Sequence, residues 1–336
     1  MSSSIPSLLS IGEEVTDAEE VPPLCSRPKR GLESFLLFAQ DIPTTNLGFL
    51  DSRAAAVEVS IRGNEYTIHQ SPTLLSSSRA GGTTGAVLWK ITPLFAEWIS
   101  SPNNPLWTSS FLTQESIITE LGCGISALIP LTLSPSIQHY IATDQEYVRR
   151  YFRTNLDENI SANNANTATS TKKGKGASKA KKASKSSTSA STPSSNITFT
   201  TLDWETDQPA FLKGCIEGNE GTVHRGNDEE DKGFDLILSC DCIYNDALVT
   251  PLVRTCADIC RLRPAYNPNS EPEPDGDDRK PTVCIVAQQQ RAPEVFETWL
   301  RETLREFRVW RVSDEILGDG LKVGTGYLVH MLLLRE

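Results

Sequence analysis

The chain has 336 residues, 38% of them hydrophobic, and a formal net charge of −11, enough for one large or two small domains around a substantial core. Seven lysines and no acid crowd residues 172–185, so the rest carries about −18, which argues against nonspecific nucleic-acid binding by the body and favours basic partners. The eight cysteines form no C-x-x-C pair and no zinc-type His/Cys spacing, and no apolar run or leader pattern suggests a membrane span or secretion; a soluble cytoplasmic protein, also nuclear in one reading, is expected, with its thiols reduced.

Residues 1–30 are rich in Ser, Pro and Glu and read as disordered. Within an extension over 31–84, Val57–Ile61 and Glu65–His69 each alternate around the turn at Arg62-Gly63-Asn64, which predicts a β-hairpin. Residues 85–336 then read as one domain. Ala86–Ile99 has helical periodicity, with Pro93 either kinking it or marking its start. Strands are expected at 115–120, 138–143, 197–202, 234–240, 281–288, 305–312 and 326–334. Helical patterns over Glu146–Asn159, Asp246–Arg263 and Pro293–Phe307 alternate with them. The fold class expected is therefore α/β, a Rossmann-like, doubly wound seven-stranded sheet. Ser313–Thr325 is too short for a crossover helix, so the last strand is expected to be antiparallel. Residues 161–195 read as a disordered Lys/Ser-rich insertion, and 217–231 and 266–280 as acidic surface loops. The lysine tract suits RNA contact, a nuclear-localisation signal or simply a solvated loop.

The first chemically informative segment is Ile118–Ser126, in which Glu120-Leu121 precede the Gly-x-Gly of Gly122, Cys123 and Gly124. Such a turn after a buried strand lets backbone N–H groups approach a nucleoside, although an ordinary tight turn needs the same glycines. The third glycine of a dinucleotide fingerprint is missing, and Glu120 would sit poorly beside a pyrophosphate. It would pair with an ammonium, and S-adenosylmethionine carries one and no phosphate. Asp144, about twenty residues further at the end of Tyr140–Asp144, is placed to accept both ribose hydroxyls. Trp204, after Leu202-Asp203, offers either an adenine platform or a half-buried packing residue. Phe234–Tyr244 is an apolar strand running to Asp241 and Tyr244, where a doubly wound sheet opens its crevice; the plainer role for Asp241 is an N-cap on the following helix.

Together, Gly85–Trp89, Glu120–Ser126, Thr143-Asp144 with Asn155 and Asn159, Leu202–Trp204, Ser239–Tyr244 and Gly326–Arg335 resemble the seven-β-strand protein-lysine methyltransferases, specifically the methyltransferase-like family 21 group. The hairpin and the lysine-rich insertion look most like its fungal ribosomal members, whose target lies in the large ribosomal subunit. The resemblance implies a methyltransferase domain over 85–336 that uses S-adenosyl-L-methionine. Trp89, Gly122, Cys123, Gly124, Asp144, Trp204 and Ser239 or Cys240 would line the cofactor site. Asp241 and Tyr244 would face the substrate lysine, with Asp241 orienting it and receiving its proton through water. A basic, large-subunit ribosomal protein is the partner implied, with no metal, no membrane and a monomeric enzyme expected. Against a nucleic-acid methyltransferase, Asp241-Cys-Ile-Tyr244 lacks the Asp/Asn-Pro-Pro-aromatic element that such enzymes resemble one another in. A non-catalytic chaperone of a basic ribosomal protein and a nicotinamide reductase are further alternatives; the reductase lacks a Tyr-x-x-x-Lys pair.

Overall fold

Seven short apolar segments each rise to a buried strand, because β-branched and aliphatic residues fill both faces of a sheet covered on each side by helices. In the computed structural model, which describes residues 4–15, 37–38, 47–79, 82–170, 196–216, 231–266 and 280–336, these are β4 (Ile117–Leu121), β5 (His139–Asp144), β6 (Ile197–Thr201), β7 (Leu236–Cys240), β8 (Val283–Gln289), β9 (Phe307–Val312) and β10 (Tyr327–Leu334). Each lies within a few residues of its sequence-based position. β4 to β8 are parallel, and β10 runs antiparallel between β8 and β9.

An eighth strand was not foreseen. Ser4–Leu8 is helical, and Gly12–Val15 forms β1, which pairs antiparallel with β9 to give the order β1-β9-β10-β8-β7-β4-β5-β6. The expectation of disorder over 1–30 thus fails for 4–15, while 16–30 lie outside the described residues. Polar composition averaged over thirty residues hid Ile5, Leu8 and Ile11, which are buried in the main core. The hairpin forms as β2 (Ala56–Ile61) and β3 (Asn64–His69).

Helices α1 (Ile91–Ile99), α2 (Leu128–Leu133) and α3 (Arg149–Ser170) follow the hairpin, and α4 (Asp246–Cys260) and α5 (Pro293–Glu306) come later in the chain. One core holds Phe95, Leu128 and Phe152 with the hairpin's Tyr66 and Ile68. The other holds Val249, Leu252, Phe296 and Trp299. Pro93 sits in the first turn of α1, where its missing N–H has no helical partner to lose. Helix α3 extends ten residues into the segment expected to be a disordered insertion. The remainder of that insertion, 171–195, and most of the two acidic loops, 217–230 and 267–279, lie outside the described residues. Among the described residues no helix is long and apolar enough to cross a membrane.

From β4 the chain winds outward through β5 to β6 and then returns to β7 on the other side of β4. The strand ends of β4 and β7 therefore form the topological switch point, where such sheets open a crevice.

Candidate active site

At the end of β4 the backbone turns through Gly122 and Gly124, whose φ angles are +70° and +59°. Both conformations favour glycine, and Gly122 has a second requirement. A Cβ there would lie 2.5 Å from Cys242 Sγ and 3.3 Å from the Trp204 ring. The turn is tied to β5: the N–H groups of Gly122 and Cys123 donate to the Thr143 carbonyl at 2.9 and 3.0 Å, and that of Gly124 donates to Asp144 Oδ2 at 2.8 Å. Ile125 N–H donates to the Gly85 carbonyl at 3.1 Å, joining the glycine turn to the loop before Trp89.

These segments enclose a cavity of about 470 Å³, within the range of small-ligand sites. Of the residues proposed from sequence, Trp89, Glu120, Gly122, Cys123, Gly124, Asp144, Trp204, Cys240, Asp241 and Tyr244 all line it. Ser239 does not: it is fully buried in β7, because successive strand residues face opposite sides. Among the described lining residues are the carboxyl groups of Glu120, Asp144, Asp203, Glu205 and Asp241, and there is no Lys, Arg or His. Such a lining repels phosphate and suits a cationic or hydroxyl-rich ligand.

The two interior acids are held in different ways. Glu120, almost fully buried, accepts the Tyr140 hydroxyl at 2.7 Å; burial lifts its carboxyl to about 8 against the lowering effect of that bond, with the Asp144 charge adding to the rise. Asp144 is lifted to about 6 by burial, opposed by the N–H groups of Gln145 and Gly124. Each of its oxygens takes one of these bonds, Gln145 to Oδ1 at 2.6 Å and Gly124 to Oδ2. A carboxylate has about four acceptor sites, so capacity for ligand hydroxyls remains.

Two tyrosines bracket the loop before Trp89. Gly85 N–H donates to the Tyr147 hydroxyl at 3.2 Å, and Thr84 Oγ1 donates to that of Tyr244 at 3.1 Å. Tyr244 is 39% exposed, which puts its hydroxyl where a large substrate can reach it. Asn245, not Asp241, caps α4, accepting from Ala247 N–H at 3.2 Å.

Asp241 departs from expectation in another respect. Its carboxylate is not free: Arg291 Nη1 donates to Oδ1 at 2.6 Å and Nη2 to Oδ2 at 2.5 Å. The same guanidinium lies over the indole of Trp89, 4.6 Å from the ring centroid, and Phe49 packs against that indole at 4.3 Å. Sequence reasoning missed Arg291, Tyr147 and Cys242. Arg291 had one legible signal, since it follows the apolar run of β8 at the end of a parallel strand beside the crevice.

No protein-family model matches the chain. Ribosomal lysine N-methyltransferase 5 of Zygosaccharomyces rouxii is 28% identical over 256 residues, covering 73% of this chain and 72% of its own length. The protein of the same name from Candida glabrata is 26% identical over 266 residues, covering 72% and 70%. A Schizosaccharomyces pombe protein named diaminohydroxyphosphoribosylamino-pyrimidine deaminase is 35% identical over 279 residues, 82% of this chain, which spans only about half of that relative's length, 51%. Among solved structures, a putative sam-dependent methyltransferase from Streptococcus mutans aligns with a TM-score of 0.42 at 7% identity, over 84% of this chain and 56% of that one. The N-methyltransferase NodS from Bradyrhizobium japonicum, in complex with S-adenosyl-l-homocysteine, aligns at 0.31 and 11%, over 70% and 90%; neither likeness is strong enough to assign a residue. By sequence along most of its length, the chain is similar to the proteins named ribosomal lysine N-methyltransferase 5.

Proposed function

We propose that this protein is an S-adenosylmethionine-dependent protein-lysine N-methyltransferase whose substrate is a basic protein of the large ribosomal subunit. The observation that carries the cofactor assignment is the cavity lining: Glu120 and Asp144 lie beside a glycine turn that a Cβ would obstruct, and among the described lining residues there is no Lys, Arg or His. The relatives' names supply the ribosomal lysine, and the family resemblance adds the large subunit.

S-adenosylmethionine supplies an electrophilic methyl group on a sulfonium, together with an ammonium, a ribose and an adenine. Glu120 would hold the ammonium, Asp144 would accept ribose hydroxyls, and Trp204 would provide an aromatic wall beside Gly122. On the substrate side, only a neutral amine attacks. Lysine's usual pKa near 10.4 makes deprotonation at pH 7.4 cost about 4 kcal/mol, which desolvation beside Trp89 and Tyr244 would reduce. Tyr244 directs the nitrogen through its hydroxyl. With the donor bound, methyl transfer would form the N–C bond as the S–C bond breaks, and the methylated ammonium would lose its proton to water at the open mouth.

The deaminase named among the relatives contributes no role here. Zinc deaminases use an H-x-E and P-C-x-x-C pattern, and neither occurs in the 336 residues. Contact of the 172–185 lysine tract with ribosomal RNA, a monomeric state and residence in the cytoplasm and nucleus belong to the same proposal. The test is incubation with methyl-labelled S-adenosylmethionine and separated ribosomal subunits, free ribosomal proteins or free RNA. Label on one basic ribosomal protein is expected; label on RNA alone, or none despite cofactor binding, would overturn the reading.

A further inference from the structure

The Asp241–Arg291 pair sits where a substrate cation would be expected to find its carboxylate. The Asp241 side chain is 3% exposed and that of Arg291 22%, so the acid lies inside the site and the guanidinium covers it. Gln289 N–H also donates to Asp241 Oδ1 at 3.1 Å, and Asp241 N–H donates to the Ala287 carbonyl at 2.7 Å. Gln289 Oε1 in turn accepts from Arg291 Nη2 at 3.4 Å and from Gly48 N–H at 2.8 Å. The end of β7, the end of β8, the segment at Gly48 and the indole of Trp89 therefore meet around one ion pair. Asp241 itself has φ +64°, in the left-handed region that Asp enters more readily than most non-glycine residues.

The chemistry of methyl transfer gives this arrangement a consequence. A free carboxylate beside the incoming lysine would stabilise its ammonium form, the one that cannot attack. A guanidinium bound to both carboxylate oxygens cancels that attraction and leaves a rigid, neutral wall.

We propose that Arg291 is a positioning residue of the methyl-transfer site. By neutralising Asp241 and fixing the loop that carries Tyr244, it lets the lysine enter as the neutral amine, so that Asp241 acts through Arg291 and is not the proton acceptor. This rests on the lysine-methyltransferase reading above. Of the other titratable groups around Asp241, burial raises Tyr327 to about 12, lifts Tyr244 and pushes the Cys240 and Cys242 thiols well above their usual range, so these are neutral near pH 7. Glu120, raised to about 8, and Asp144, raised to about 6, also act on this cluster and titrate alike in every variant below, so the limb is read as a difference from the wild type.

The test is the pH dependence of kcat on a basic protein substrate for the wild type, Arg291→Gln, Arg291→Lys, Asp241→Asn and the double variant Asp241→Asn/Arg291→Gln, each scaled to its folded fraction. Arg291→Gln uncovers the carboxylate. Its activity should fall about tenfold at pH 7.5 and its rising limb should move up by about one pH unit, one unit being a factor of ten in neutral amine. KM should stay level or fall, because the free carboxylate binds the ammonium better. Arg291→Lys keeps the charge and should keep the wild-type limb. The double variant, with neither charge, should return the limb to the wild-type position even where its stability is lowest. An unshifted limb in Arg291→Gln, or a shift that persists in the double variant, would overturn the inference while leaving the methyltransferase reading intact. A wild-type protein that transfers no methyl to protein lysine would overturn both.

Discussion

Burial on β4 sets the ionisation of Glu120, and with it a pH dependence that sequence did not reveal. Its folded-state value of about 8 lies above the unfolded value of 4.5, so the folded protein binds more protons in between. The stability this group contributes is complete below about 4.5 and is lost as pH rises through about 8. Asp144, raised to about 6, acts in the same direction over a lower range. Glu120→Gln is therefore expected to flatten the decline in ligand-free melting temperature between about pH 5 and 8 in a thermal scan. An ammonium-bearing ligand prefers the ionised carboxylate. Its affinity should rise with pH toward 8, with proton release visible at pH 7 as a buffer-dependent binding enthalpy; Glu120→Gln should abolish both. The glycine turn, Glu120, Asp144 and Tyr244 were legible because each is a local chemical requirement at a strand end. The Arg291 pairing was not, since it joins residues fifty positions apart through the sheet's crossover.

Among the elements, α3 does more than cover the sheet. Asn155 and Asn159, one turn apart, present side-chain amides that bond β3 as a neighbouring strand would. Asn155 Oδ1 accepts from His69 N–H at 2.7 Å and its Nδ2 donates to the His69 carbonyl at 2.9 Å, while Asn159 repeats the pattern on Thr67 at 3.0 and 2.9 Å. Asn155 Nδ2 also donates to the Ile125 carbonyl at 2.7 Å, just past the glycine turn. The hairpin is thus fastened to the cofactor side of the site through one fully buried side chain. Asn155→Leu leaves these backbone groups unpaired and is expected to lower stability by about 2–4 kcal/mol, read from denaturant unfolding. Cofactor affinity should weaken with it, because the turn loses its anchor. Periodicity showed both the hairpin and the helix; only packing showed that two asparagines join them.

For the whole molecule, the consequential addition is β1. It covers β9 at the sheet's edge through pairs from Gly12↔Val312 to Val15↔Val309, with Glu14 held by Arg308 at 2.8 Å. An uncovered edge strand offers unpaired N–H and C=O groups to other chains. Deleting residues 1–15 is expected to reduce the melting temperature by several degrees and to promote self-association in light scattering, through the exposed edge and the loss of Ile5, Leu8 and Ile11 from the core. Unchanged melting and a monodisperse sample would show that β1 is dispensable. By itself the sequence determined the alternating strands and helices, the parallel sheet with its reversed last strand, and the acid-bearing glycine turn, because hydrophobic period and turn chemistry are properties of neighbouring residues. Tertiary structure alone decided that an N-terminal segment adds an edge strand beside β9, that Ser239 is buried away from the site, and that Arg291 pairs with Asp241. Those outcomes depend on which distant segments meet, and that is set by how the whole chain packs.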